Sequence, residues 1–160
     1  MVKKMQKNKI MILAILTIFT VVLAGSASAF DLGFLSGDDE PTEVTIEGIK
    51  FNIPSGFQED KVNSIENETA HSGTITYTMN GKTYENAKGE AIAIVIADYG
   101  DYNVTDEILS QVADDKKTVN GVDGYVTVDN NCTVFAYEEN GDLVTVTTTD
   151  DSLLETIVVA

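Results

Sequence analysis

The sequence contains no tryptophan and no arginine, and it has one cysteine and one histidine among its 160 residues. A single cysteine excludes an internal disulfide, and one cysteine with one histidine cannot complete a His/Cys zinc site. Positive charge is scarce as well, because 10 lysines face 26 acidic residues, for a formal net charge of −16. Such a chain repels phosphate groups. Binding to nucleic acid or to anionic lipid headgroups through a basic patch is therefore excluded.

The N-terminal segment has the three parts of a secretory signal. Residues 1–9 carry four lysines, residues 10–24 are almost wholly apolar, and Ala27 and Ala29 place small side chains where a signal peptidase reads them. We therefore predict cleavage after Ala29. An uncleaved N-terminal membrane anchor is the alternative, and under both readings residues 30–160 lie outside the cytoplasm. The protein is predicted to be exported, either extracellular or attached to the cell envelope.

The predicted organisation has three parts. A signal peptide or anchor occupies residues 1–29, a flexible acidic linker follows at 30–42, and a single domain fills 43–160. Without residues 1–29, 6 lysines face 26 acids, a net charge of −20. About 118 residues suffice for one hydrophobic core without disulfides.

From Val44 onward the sequence predicts mainly β-strands and tight turns. Val44–Ile46 and Ile49–Ile53 flank Glu47-Gly48, which indicates a first hairpin. Ala91–Ala97 has no polar face, so we predict a strand covered on both sides, at the centre of the sheet. An Asn80-Gly81 pair is typical of a hairpin turn. Further strands are predicted at residues 74–79, 82–86, 125–128, 132–137 and 143–148.

Two segments have the apolar spacing of helices. The first is predicted to begin at Thr105, before two acids, and to run for about three turns to Lys116 and Lys117. The second is predicted to begin at Asp150 or Asp151 and to close the chain. The apolar sides of both helices need a surface to cover. The predicted fold class is therefore α+β, a two-layer domain with a mostly antiparallel sheet covered on one face by two helices.

Three segments carry a resemblance to known proteins. Residues 46–57, Ile-Glu-Gly-Ile-Lys-Phe-Asn-Ile-Pro-Ser-Gly-Phe, together with Val119–Tyr125 and Asp151–Glu155, resemble small exported proteins of methane-producing archaea that have no assigned activity. The order of elements is also loosely similar to PsbP-like domains, which are mostly non-enzymatic accessory subunits. The resemblance covers most of residues 43–160. It implies such a fold and an accessory role, and its motifs are turns and strand ends that carry no catalytic residues.

Nucleophilic catalysis has little support in the sequence. His71 lies in a predicted polar loop with no nucleophile-elbow pattern near any serine, so we expect a solvated side chain. Cys132 is predicted to be a small buried residue of a strand, and pairing with another chain in an oxidising compartment is the alternative. Paired carboxylates could serve a hydrolase, although the chain has no tryptophan on which a sugar could stack.

Calcium is the better use for the abundant acids, because it is held by carboxylate and carbonyl oxygens. Asp98, Asp101 and Asp106 follow the predicted central strand and form the first candidate cluster. A second candidate cluster lies near the terminal helix, at Asp150, Asp151 and Glu155. Neither matches an EF-hand loop. The alternative is solvated charge that keeps an exported domain soluble.

The sequence also offers contact residues for a partner. Tyr99 and Tyr102 lie in one loop, where exposed tyrosines would suit a protein or a glycan. Three acceptor triplets for N-linked glycans begin at Asn67, Asn103 and Asn131, and unmodified surface asparagines are the alternative. We predict a non-enzymatic binding or accessory module without a cofactor, and a bound calcium ion is the alternative. The alternatives are a carboxylate-dependent hydrolase and a structural envelope component that associates with itself through Cys132.

Overall fold

The computed structural model describes residues 40–72 and 75–160. The predicted signal peptide or anchor, its cleavage site at Ala27 and Ala29, and most of the predicted linker lie outside these residues. Within the described ranges, no helix has the length and apolar character needed to cross a membrane.

Strands dominate the described part of the chain. The strands are β1 Thr42–Ile46, β2 Ile49–Ile53, β3 Phe57–Ser72, β4 Ile75–Asn86, β5 Ala91–Asp98, β6 Asp115–Val119, β7 Val122–Asp129, β8 Cys132–Glu139 and β9 Asp142–Thr148. The helices are α1 Asp106–Val112 and α2 Leu154–Ile157, and a 3-10 turn at Asp151–Leu153 leads into α2. Every strand pairing between these elements is antiparallel. The predicted mostly antiparallel sheet is therefore confirmed. The helices are short, however, so the described residues form a sheet-dominated fold and not the predicted two-layer α+β domain.

The main sheet has seven strands in the order β3-β4-β5-β9-β8-β7-β6. Two meanders build it, β3 to β5 and β6 to β9, and pairing between β5 and β9 joins them. Strands β1 and β2 form a separate hairpin, as predicted, with the turn at Glu47 and Gly48. Both turn residues have positive φ, 47° and 81°, which matches the twist of a two-residue hairpin.

Strand β5 divides the core into two clusters because its side chains alternate between the faces of the sheet. Ile92, Ile94 and Ile96 point to one face and belong to the cluster that also contains the β1–β2 hairpin. Ala93 and Val95 point to the opposite face. All residues from Ala91 to Ala97 are buried, which confirms the prediction of a strand covered on both sides. Its predicted place at the centre is wrong, because β5 is the third of the seven strands and β9 is the central one.

The two helices cover opposite faces of the sheet, and this corrects the prediction that both cover one. Leu109 and Val112 of α1 pack with Ala93 and Val95, on what we call the α1 face. Leu154 and Ile157 of α2 pack with the β1–β2 hairpin, on what we call the hairpin face. The physical reason is that β5 presents apolar side chains on both faces, so both faces need a cover.

The predicted turn at Asn80-Gly81 is wrong, because both residues lie inside β4. Gly81 is instead a point of close approach, where an added Cβ would lie 2.8 Å from the carbonyl oxygen of Ile94 on β5. Strand β3 runs through a segment for which the sequence predicted no strand. It pairs with β4 through two register shifts, between Asp60 and Ile65 and between Ile65 and Glu68.

Helix α1 is shorter than predicted, because it ends at Val112. Ala113 has extended backbone angles, φ −141° and ψ 153°, and the chain then enters β6. Lys116 and Lys117 therefore lie on an edge strand paired with β7, where they do not cap a helix. The predicted helix start is correct, since the carbonyl of Thr105 accepts the N–H of Leu109 at 3.0 Å.

Candidate functional site

The candidate site is the loop between β5 and α1, residues 99–105, which we call the Tyr102 loop. Bonds near its two ends hold its backbone. At its start, the N–H of Gly100 donates to Oδ1 of Asp98 at 2.6 Å. Near its end, the N–H of Val104 donates to the carbonyl of Gly141 in the β8–β9 turn at 3.3 Å. The loop is therefore fastened to two strand ends of the sheet.

The two tyrosines of this loop differ in exposure. Tyr99 is only 8% exposed and stacks on Tyr77, with ring centroids 4.9 Å apart. Burial, and to a smaller extent Tyr77, raises the pKa of Tyr99 to about 12. Tyr102 is 56% exposed, and its N–H donates to the carbonyl of Tyr99 at 3.3 Å. Both tyrosines were predicted to be contact residues. Tyr99 is instead buried and anchors the loop, whereas Tyr102 is exposed to solvent.

Carboxylates surround the end of the sheet where the Tyr102 loop lies. Burial raises the pKa of Asp142, and the nearby Asp98, Glu47 and Glu138 raise it further. These four residues come from β5, the β1–β2 turn and the β8–β9 hairpin, so the folded chain brings together acids that are distant in sequence. We call them the acidic end. Its negative potential favours positively charged groups on a partner.

Replacing Asp142 by asparagine is expected to raise Tm at pH 7, by about 2 °C. The folded-state pKa of Asp142 is raised, so its ionised form is disfavoured in the native protein. The loss of stability caused by ionised Asp142 is present at pH values above its pKa in the folded protein. It disappears as the pH falls below the ordinary pKa of 3.8. Thermal unfolding at pH 7 and at about pH 3 measures both effects.

Asp150→Asn is the matched control, because it changes the net charge equally. Hydrogen bonds from the side chain and the backbone of Ser152 hold the pKa of Asp150 below its usual value. The stability that this carboxylate contributes is present above its ordinary pKa and is lost as pH falls. Asp150→Asn should therefore lower Tm at pH 7. An equal rise of Tm in both variants would mean that the net charge of the protein, and not the surroundings of each carboxylate, determines the change in stability.

The three acids predicted for calcium have separate roles. Oδ1 of Asp98 accepts the N–H of Gly100, and Asp101 is exposed in the loop. Oδ2 of Asp106 accepts from Nζ of Lys116 at 3.0 Å and from the hydroxyl of Tyr125 at 2.9 Å. Across residues 40–72 and 75–160, no group of three acidic, histidine or cysteine side chains is arranged to hold a metal ion. Calcium binding stays a prediction.

All three predicted glycosylation asparagines are exposed. Asn67 lies on β3 with φ 49°, and its N–H donates to Oδ1 of Asn80 at 2.7 Å. Asn103 lies in the Tyr102 loop and Asn131 in the β7–β8 turn. Exposure of the three side chains is compatible with glycosylation, which stays a prediction at all three positions.

His71 lies on β3, which corrects its predicted place in a loop. Its side chain is exposed, as expected, with Nδ1 3.0 Å from Oγ1 of Thr76 on β4. Cys132 is a buried residue at the start of β8, as predicted. Burial raises the pKa of its thiol and Asp129 raises it further, so its thiolate is disfavoured.

One described cleft bears on the hydrolase alternative. It has a volume of about 260 Å³ and lies between the β1–β2 turn and strands β3 and β4, with Glu47, Glu59 and Glu66 among its lining residues. Glu59 is ion-paired with Lys82 at 3.2 Å. Glu139 and Asp142, the carboxylates whose pKa values are raised, do not line this cleft.

None of the protein-family models, curated proteins or solved structures compared with the chain matches it. The resemblance to exported archaeal proteins and to PsbP-like domains therefore stays a prediction.

Proposed function

We propose that this protein is an exported or cell-envelope domain that works as a non-enzymatic binding or accessory module. The observation that carries the proposal is the exposed ring of Tyr102 on a loop whose backbone is fastened near both ends. A tyrosine held in this way supplies contact area at low entropic cost, because the loop is ordered before binding.

The chemistry around Tyr102 favours one class of partner. The acidic end adjoins the loop, and the whole chain carries a net charge of −16. Lysine or arginine side chains of a protein partner would meet carboxylates there, and they could also pack on the face of the tyrosine ring. We therefore favour a protein surface with basic side chains. A cell-surface glycan is the second candidate, since tyrosine also packs against sugars.

The other functions have less support. A carboxylate-dependent hydrolase needs two carboxylates that converge on a substrate, with the pKa of one raised. The residues that line the described cleft do not include Glu139 or Asp142, the two carboxylates whose pKa is raised. The PsbP-like resemblance favours an accessory role, although likeness of fold transfers poorly to function.

Binding to intact cells tests the proposal. The exported chain, fluorescently labelled, would be added to its source cells from which the gene has been deleted. We expect saturable binding that weakens about tenfold or more in Tyr102→Ala, because an exposed aromatic anchor carries a large share of binding energy. The matched control is Val128→Ala, which truncates another exposed apolar side chain, 70% exposed, on β7.

Two outcomes would contradict this function. Wild-type protein that shows no saturable binding has no partner on the cell surface. Equal binding by Tyr102→Ala and wild type would remove the Tyr102 loop as the contact. Cleavage of the N-terminal segment is tested by the intact mass of the protein from its own cells, which should match a chain that begins at residue 30 or a heavier, modified form of it. A mass that still contains residues 1–29 would indicate the membrane anchor instead.

A further inference from the structure

The seven-stranded sheet has two edge strands, β3 and β6, and they differ in regularity. The ladder of β3 is broken by two register shifts, on either side of Ile65. In the first of them, the side chain of Asp60 accepts the N–H groups of Val62 and Asn63 at 3.0 and 3.3 Å. Bulges of this kind twist an edge strand and interrupt its outward hydrogen-bonding groups. The β3 edge is therefore poorly suited to accept another strand.

The β6 edge is regular. Its five residues pair with β7 in one unbroken register, from Asp115 opposite Val126 to Val119 opposite Val122. Among the described strands none lies beyond β6, so every second N–H and C=O along it points away from the sheet. Asp115, Lys116 and Thr118 are exposed. This edge is a template for one more antiparallel strand.

We propose that the strand added at this edge is β6 of a second copy, so that two sheets join antiparallel about a two-fold axis. The argument is charge complementarity. Directly opposed residues share a face of the sheet, and in the register centred on Lys116 each Asp115 faces Lys117 of the second copy. Two such ion pairs form, because the two-fold axis repeats the contact. Within the described ranges, neither Asp115 nor Lys117 belongs to an ion pair of its own chain.

The same register places Lys116 opposite itself on the α1 face. Each Lys116 is already neutralised within its own chain, since its Nζ lies 3.0 Å from Oδ2 of Asp106. The same ammonium group lies 5.4 Å from the centre of the Tyr125 ring. Both contacts draw the two lysines toward their own domains, which reduces the repulsion between them.

The neighbouring registers are less favourable. A register centred on Lys117 would oppose two lysines without an acid to neutralise either, and one centred on Asp115 would oppose two aspartates. Charged side chains on a short edge strand usually prevent strand addition. Here they deter strands of other sequence while matching an antiparallel copy of themselves, so they select the partner.

Sedimentation of the exported chain at physiological salt tests this proposal. A single five-residue strand pairing is a small interface, and we expect a monomer–dimer equilibrium with Kd on the order of 0.1 mM. Lys117→Asp would oppose aspartates and Asp115→Lys would oppose lysines, so each variant alone should be monomeric up to about ten times that concentration. Both leave the contact of Lys116 with Asp106 in place.

Two further samples restore complementarity. An equimolar mixture of Lys117→Asp and Asp115→Lys should form a heterodimer, and the double variant Asp115→Lys/Lys117→Asp should dimerise like wild type. Wild type that remains monomeric at about 1 mM, single variants that dimerise as well as wild type, or a mixture that stays monomeric would each overturn the proposal. This result is independent of the proposed function, which is tested on cells with Tyr102→Ala.

Discussion

Replacing Phe51 by alanine is expected to destabilise the domain by about 3–5 kcal/mol, and to lower Tm by about 10–20 °C. Phe51 is fully buried on β2, in the cluster of the hairpin face. It pairs with Val44 on β1 and forms a bridge with Val158 after α2. The ring thus lies where the hairpin, the C-terminal segment and the main sheet meet. Its removal leaves a cavity that three elements border, and thermal and denaturant unfolding measure the loss.

Two other variants make this result interpretable. Val62→Ala removes apolar atoms from a side chain that is 91% exposed, so its stability should stay within about 0.5 kcal/mol of wild type. Phe51→Leu keeps most of the volume and should cost roughly 1 kcal/mol, which remains measurable if Phe51→Ala does not fold. A loss in Phe51→Ala no larger than that in Val62→Ala would mean that the hairpin does not complete the core.

The parts of the fold that the sequence predicted well are those with local signals. Glu47-Gly48 between two short apolar runs is a complete hairpin signal, and the structure has that hairpin. The run Ala91–Ala97 predicts burial on both faces without any tertiary information, because no position in it is polar. Strands β7, β8 and β9 likewise follow runs rich in β-branched and aromatic residues that are separated by Asn-containing turns, with Asn130, Asn131 and Asn140 at positive φ.

The missed elements lack such signals. Strand β3 is mostly polar, and bulges disturb the period of two that would have indicated a strand. Asn80-Gly81 is a local hairpin signal, but pairing of β4 with β5 overrides it, because Gly81 is needed for close approach to β5. The opposite placement of the two helices depends on which face each segment reaches. The spacing of apolar residues along a helix does not indicate which face of the sheet the helix will cover.

In the candidate site as well, the part formed by residues adjacent in sequence could be predicted, and the part assembled by folding could not. A loop with exposed tyrosine after β5 was predictable, since the residues are adjacent in sequence. The acidic end was not, because Glu47, Asp98 and Asp142 come from separate hairpins that only the β5–β9 pairing and the packing of the β1–β2 hairpin bring together. Among many acids, sequence alone gives no reason to single out these.

Replacing Gly124 by alanine is expected to destabilise the domain by about 3 kcal/mol. Gly124 lies inside β7 and is not among the glycines with positive φ, so a left-handed backbone does not explain its presence. An added Cβ would overlap the carbonyl oxygen of Ala136 on β8 and would lie 2.9 Å from two ring atoms of Phe135. The backbone oxygen is fixed by the β7–β8 ladder, and the ring of Phe135 is fully buried. The steric overlap can therefore be removed only if β7 and β8 move apart.

Gly89→Ala is the control that separates steric overlap from backbone strain. Gly89 lies in the exposed β4–β5 turn at φ +80°, and an added Cβ there meets no atom within 4 Å. Alanine at that φ should cost only about 1 kcal/mol, all of it from backbone conformation. Chemical unfolding of both variants gives the comparison. If Gly124→Ala were no less stable than Gly89→Ala, the ring of Phe135 could not be packed over β7 as described, and β7 would tolerate a side chain on the hairpin face at that position.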